Sequence, residues 1–221
     1  MPGKEFSRGR PVRSIVFDLD GTLIDSAPAV GGVLNLMRAE TGLTPLPIDA
    51  FRRWISLGAD ELMRRALEIG PQEAPSRLNE FRRLYRAEPA RPDHLYPGVA
   101  ATLAELRRRG LRMAICSNKP APLCRKIVDE LALSACFDAV VGGEPDRPAK
   151  PDPAPLDRAL AAMEADPRAS LFVGDSSIDQ KAAASRAIPF VFFAEGYDDG
   201  VARLEAFRVI RRMDELLGLV Q

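Results

Sequence analysis

The stretch "SIVFDLDGTLIDSAP", Ser14 to Pro28, decides how this chain is read. Ser14 to Phe17 has the length and composition of a buried strand, and two aspartates, Asp18 and Asp20, follow at once with a single leucine between them. Gly21 then supplies a turn. Acidic pairs are ordinary on solvated faces, but directly after a buried strand they either cap a turn or do chemistry.

Similar apolar runs recur downstream: "LRMAIC" (111–116), "FDAVV" (137–141), "LFV" (171–173) and "FVFF" (190–193). Between them, 99–109, 122–133, 155–164 and 177–186 carry apolar residues at helical spacing, as in the stripe Leu123, Ile127, Val128 and Leu131. Strands alternating with helices predict an α/β fold, a doubly wound parallel sheet. One segment breaks the alternation. From Ser26 to Tyr96 only helical patterns occur, with Phe51, Trp54 and Ile55 forming one apolar face. An α/β core over 1–25 and 97–221 with an inserted all-helical domain over 26–96 is therefore expected, the return running through the turn-rich "PARPDHLYPG".

The 221 residues are 46% hydrophobic and 28% charged, with 31 basic against 31 acidic side chains. This balance gives no global pull toward nucleic acid or anionic lipid, so neither is expected as a partner. No apolar run approaches the length of a membrane span, and a cytoplasmic location is expected. Oligomeric state is open between monomer and homodimer. Cys116, Cys124 and Cys136 have no CxxC spacing and read as reduced, mostly buried thiols. The single histidine, His94, argues against His-based metal clusters and Ser-His-Asp triads. Only five of the basic residues are lysines, so each lysine is informative.

In open α/β sheets ligands bind beyond the carboxyl ends of the strands. The residues there are Asp18, Asp20 and Thr22; Ser117 and Asn118; Lys150 in "GGEPDRPAKP"; and Asp175 and Asp179 in "GDSSID". Carboxylates gathered in one crevice repel one another unless a cation holds them, and a hard ion such as Mg²⁺ suits oxygen ligands. A hydroxyl, an amide and an ammonium beside the ion would complete a site for a phosphoryl group. For Asp175 or Asp179 alone, capping of the following helix is an alternative. Lys119, in "SNKP", is expected to face solvent.

Four motifs in this order, "DLDGT", "CSNKP", "AKPDP" and "GDSSID", resemble those of the haloacid dehalogenase superfamily of phosphotransferases, and the likeness covers most of the chain. The helical insert looks like that family's small cap domain. Within the superfamily "FDLDGTLIDSAP", "VVGGE" and "KPDPAPL" are similar to phosphoglycolate phosphatases, as is "LGADELMRRAL", in which Arg65 matches a substrate-contacting cap arginine. Where that group reads glycine and asparagine, this chain has Ser56 and Leu57, a departure that bears on the leaving group.

The resemblance implies a Mg²⁺-dependent phosphatase acting on a small phosphorylated metabolite. Asp18 would be the nucleophile, forming an aspartyl-phosphate, and Asp20 the acid and base. Asp18, the Asp20 backbone carbonyl and Asp175 would hold the metal, and Asp179 would support it or Lys150. Ser117, Asn118, Lys150 and Thr22 would bind the phosphoryl group. Sugar phosphates and nucleoside monophosphates are alternatives to phosphoglycolate, and a non-catalytic phosphate-binding module is the alternative to an enzyme. The dehalogenase branch lacks the second aspartate, which is present here. A phosphonatase would need a cap lysine, whereas 26–97 contains none. A sugar-phosphate mutase would need a histidine soon after the first motif, and none occurs before His94.

Overall fold

The computed structural model describes residues 11–55 and 57–220, which form two compact units. One contains the described residues up to Ile24 and from Arg91 onward; the other is Asp25–Ala90.

The first unit is built on β1, Ser14–Phe17, whose four residues are all buried. It pairs in parallel with β2 (Arg112–Pro120) on one side and β4 (Ser170–Gly174) on the other. With β3 (Ala139–Gly143), β5 (Phe190–Phe193) and β6 (Arg208–Ile210) the order is β3-β2-β1-β4-β5-β6, parallel throughout. All carboxyl ends therefore share one edge, and the order reverses between β1 and β4, where such sheets open a crevice. A strand buried on both faces carries no polar alternation. Val16, Ala114, Phe172 and Phe192 form one face and pack with Leu156, Ala159 and Leu160 of α7 (Ala154–Ala162) and Ala182 and Ala183 of α8 (Ser177–Ala184). Ile15, Phe17, Met113, Ile115, Leu171 and Val173 point the other way and are also buried. Helices α5 (Val99–Arg108) and α6 (Ala121–Glu130) complete the unit. Cys116 and Cys124 are buried free thiols, and burial pushes both up to about 12.

Two features go beyond the sequence expectation. The edge strand β6 buries only Ile210 of its three residues, too little alternation to register as a strand. Strand β2 runs four residues past Cys116 through the polar "SNKP", with a register shift between Cys116 and Pro120 that sets Pro120 opposite Gly143. The cause lies in β3. A Cβ on Gly142 would fall 2.4 Å from Ala121 Cα and 2.8 Å from the Lys119 carbonyl oxygen, and one on Gly143 would fall 2.6 Å from the Asn118 carbonyl oxygen. Two residues without side chains let the backbones close.

The second unit is helical: α1 (Ala27–Glu40), α2 (Ile48–Ile55), α3 (Ala59–Leu67) and α4 (Ala74–Ala87). Its core contains Leu34, Met37, Phe51 and Met63, all fully buried, and Trp54 meets Phe51 edge-on at 5.9 Å. Arg38 is buried with them because every part of its head is used: Nε donates to the Thr44 carbonyl at 2.8 Å, Nη1 to the Ala66 carbonyl, and Nη2 pairs with Glu68 at 3.0 Å. The segment 91–96, read from sequence as part of the linker, belongs to the sheet unit, since Leu95 bridges Ile24 and the Tyr96 N–H donates to the Leu23 carbonyl at 3.1 Å. No described helix is long and apolar enough to cross a membrane.

Overpacking a tight backbone contact costs about 1–3 kcal/mol. Gly142→Ala is expected to lower the urea midpoint by that equivalent without changing the slope of the transition. An unchanged midpoint would show that β2 does not depend on the close approach of β3.

Candidate active site

The carboxyl edge of the sheet brings together residues far apart in the chain. Asp18 leaves β1, Asp175 leaves β4, Ser117 lies in the extended part of β2, and Asp179 sits in the first turn of α8. Lys150 comes from the connection between β3 and α7. All five are buried.

Lys150 is the hub. Its Nζ donates to Asp18 Oδ1 at 2.6 Å, to Asp179 Oδ1 at 2.7 Å and to the Cys116 carbonyl at 2.7 Å, which uses the three protons of an ammonium. Its backbone is fixed as well. Asn118 Nδ2 donates to the Lys150 carbonyl at 2.9 Å, and the Lys150 N–H donates to Asn118 Oδ1 at 2.8 Å. Burial by itself would push the ammonium down, but Asp179 and Asp18 outweigh it and hold it above the usual lysine range.

Asp18, Asp175 and Asp179 offer carboxylate oxygens within 4.8 Å of one another. One lysine does not balance three carboxylates. Burial pushes Asp18 up to about 6, with Lys150 pulling it down and Asp179 pushing it further up. Asp175 is raised well above its ordinary value, first by burial and then by the charges of Asp18 and Asp179. An all-oxygen set that resists being charged together fits a hard divalent cation, which would let the carboxylates ionise side by side. Asp179 is the least suited to hold one, because its Oδ1 pairs with the Lys150 ammonium and its Oδ2 accepts from both the N–H and the hydroxyl of Ser176 at 3.2 and 2.5 Å, whereas Lys150 engages only Oδ1 of Asp18 and Asp175 accepts from the neutral donors of Thr22 and Tyr197. The Ser176 N–H contact and the return bond from the Asp179 N–H to Ser176 Oγ at 3.4 Å form a capping box on α8, so the capping and supporting readings of Asp179 both apply to the one residue.

Asp175 is seated by the residues after Asp20. Thr22 Oγ1 donates to its Oδ1 at 2.9 Å, and the Tyr197 N–H donates to its Oδ2 at 2.8 Å. Gly21 has φ +83°, and a Cβ there would lie 2.1 Å from Asp175 Oδ2, so both the turn and the close approach require glycine. The Thr22 hydroxyl, expected among the phosphate-binding groups, is instead committed to a carboxylate. It orients Asp175.

Asp20 is half-buried and bridged through its backbone to Ile24. Both its oxygens accept from Lys119 Nζ, at 2.8 and 3.0 Å. The expectation that Lys119 faces solvent is wrong: its side chain is 8% exposed. The strand extension that carries it turns it into the site instead of away. Ser117 Oγ accepts from the Lys119 N–H at 3.3 Å.

Arg65 lies in α3 of the helical unit, half-exposed, with Nε on Glu61 Oε1 at 2.6 Å. That bond holds Glu61 below its usual range. A hollow of about 390 Å³ in the same unit is lined by Leu57, Glu61 and Arg64 among others, and not by Arg65.

Three contributors had no role in the sequence reading: the Asn118 side chain as a clamp on Lys150, Lys119 on Asp20, and the Tyr197 N–H on Asp175. The last lies shortly after β5 and acts through its backbone, so no side-chain pattern marks it. Lysine scarcity is the signal that could have singled out Lys119.

Residues 12–185 match the haloacid dehalogenase-like hydrolases. The chain is 36% identical over 214 residues to a phosphoglycolate phosphatase of Cereibacter sphaeroides, covering 94% of this chain and 97% of that one. It is also 36% identical over 221 residues to phosphoglycolate phosphatase 1 of Pseudomonas aeruginosa, covering 96% and 81%. The crystal structure of a predicted phosphoglycolate phosphatase from Haemophilus somnus superposes with a TM-score of 0.81 at 28% identity, over 95% of this chain and 98% of that one. The crevice at the β1/β4 reversal, its buried lysine and carboxylates, and these likenesses agree: the chain belongs to the haloacid dehalogenase-like hydrolase family and is one of its phosphatases.

Proposed function

We propose that the protein is a Mg²⁺-dependent phosphatase that cleaves a small phosphate monoester through an aspartyl-phosphate on Asp18, with phosphoglycolate as the first candidate substrate. The observation that carries this reading is the unequal setting of the two aspartates. Lys150 pins Asp18 Oδ1 and so aims the carboxylate, leaving Oδ2 to attack phosphorus. Asp20 lies outside the Lys150 cluster and accepts from a second ammonium, that of Lys119.

In the first half-reaction a bond forms between Asp18 and phosphorus while the ester bond breaks, and Asp20 gives its proton to the departing oxygen. In the second, water attacks the same phosphorus, Asp20 takes the water's proton, and the bond to Asp18 breaks to release inorganic phosphate. Asp18, Asp175 and the Asp20 carbonyl would hold Mg²⁺, which supplies neutralising charge for the phosphoryl oxygens and the nucleophile. The Ser117 hydroxyl and the backbone at Asn118 would bind the phosphoryl oxygens, and Lys150 adds its fixed positive charge. Asp179 and Thr22 act as positioning residues, on Lys150 and Asp175 respectively.

The names of the relatives at 36% identity support phosphoglycolate. A phosphate-binding module would have no use for a second, separately held aspartate at Asp20. Ranking phosphoglycolate, short sugar phosphates and nucleoside monophosphates by kcat/KM with Mg²⁺ tests the choice. Phosphoglycolate is expected to lead, and a leading sugar phosphate or nucleotide would displace it.

Asp18→Asn is expected to lower phosphate release from any of these esters by at least ~10³-fold, as loss of a nucleophile does. Undiminished turnover would refute Asp18 as the attacking group. Mg²⁺ at about 100 times its Kd is expected to add about 2.7 kcal/mol of stability to the wild type over a chelator-treated sample. The corresponding rise in melting temperature should disappear in Asp175→Asn, and an equal rise in that variant would place the ion elsewhere.

A further inference from the structure

We propose that Lys119 reads the leaving group: its ammonium leaves Asp20 to meet a carboxylate borne by the carbon next to the ester oxygen, so the site is built for phosphate esters of 2-hydroxy acids in preference to esters of neutral alcohols. The inference rests on the phosphatase reading above and deepens it.

Lys119 is held from both sides. The strand extension fixes its backbone against Gly142 and Gly143. The Cys124 thiol donates to its carbonyl at 3.3 Å, tying it to the first turn of α6. Its stem is therefore anchored while its four-carbon chain can still swing the ammonium over a short arc.

The ammonium engages both oxygens of the one carboxylate that must hydrogen-bond the ester oxygen. In that arrangement it competes with the substrate for Asp20. With a neutral leaving group nothing draws it away, and moving an ammonium that is only 8% exposed off a carboxylate is costly unless another anion takes that carboxylate's place. An anion on the substrate supplies that partner. An ester oxygen hydrogen-bonded to Asp20 lies within about two hydrogen-bond lengths, ~6 Å, of Nζ. A carboxylate joined to that oxygen through one carbon extends about 3 Å from it by ordinary bond lengths, which closes the remaining distance to a charge-assisted bond. Binding of the acid thus frees Asp20 in the same movement that fixes the leaving group. Lys150 cannot play this part, since its three protons are spent on Asp18, Asp179 and the Cys116 carbonyl.

The test compares phosphoglycolate with its amide, carbamoylmethyl phosphate, which keeps the shape and removes the charge, using Mg²⁺-loaded wild type, Lys119→Met and Lys119→Arg. Wild type is expected to favour the acid by roughly 10²-fold in kcat/KM, the scale of one hydrogen bond to a charged group. Lys119→Met should lose about that factor on the acid and lose nothing or gain on the amide, because the competitor for Asp20 is gone, and the preference collapses. Lys119→Arg should restore part of it. Equal losses on both esters would overturn the inference and make Lys119 a positioning residue for Asp20. Were Lys119→Met not to fold, the wild type decides: equal use of acid and amide overturns the inference with no variant needed. A wild type that releases phosphate from neither the esters of the panel nor this pair would instead refute the phosphatase reading itself.

Discussion

A single buried ammonium, shared at 2.6–2.7 Å among two carboxylates and a backbone carbonyl, is the constraint on which the rest depends. Lys150 touches the end of β1 through Asp18, the body of β2 through Cys116, and the start of α8 through Asp179. It joins three elements that hydrophobic packing brings near but does not register at the level of individual oxygens. Losing one partner of such a buried ion pair typically costs about 3–5 kcal/mol, because the survivors stay charged and dry. The Asn118 clamp follows from this. A lysine asked to hold two acids must itself be held, and the amide of Asn118 grips its peptide on both sides.

The same constraint separates the two aspartates of the first motif. They lie on the same side of an extended chain, one residue apart, and nothing in their spacing distinguishes them. Asp18 meets a lysine that the protein has already saturated. Asp20 meets Lys119, which donates to both of its oxygens. In the proposed mechanism the first arrangement would aim the nucleophile, and the second would leave the acid and base able to change partners.

The sheet and its edge are legible in the sequence because buried parallel strands are written as continuous apolar runs, and the first polar residue after each run marks the carboxyl end. Ser14–Phe17 and Phe190–Phe193 match the observed strands residue for residue. Composition at one position cannot show what another strand permits. Strand β2 continues through Ser117–Pro120 because Gly142 and Gly143 lack side chains, and this continuation carries Lys119 into the site. Thr22 shows a second limit. A hydroxyl after an acidic turn can serve substrate or scaffold, and only the approach of Asp175, made possible by Gly21, commits it to the scaffold. Tyr197 contributes through its backbone, which no side-chain pattern records.

The capping box on α8 has a consequence for how the molecule assembles. Asp179 fastens the first turn of its own helix through Ser176, a contact between residues three apart, and also reaches Lys150, while Lys150 reaches Asp18 across 132 residues of chain. Local contacts form at little entropic cost and distant ones at more. The helix can therefore seat one acid from local contacts alone, and Lys150 lies only 29 residues from it. Mutual repulsion among the acids of the two strands begins only when β1 and β4 pair, across 156 residues of chain. Chemical competence waits on that distant pairing, while one acid of the site is already held by its own helix.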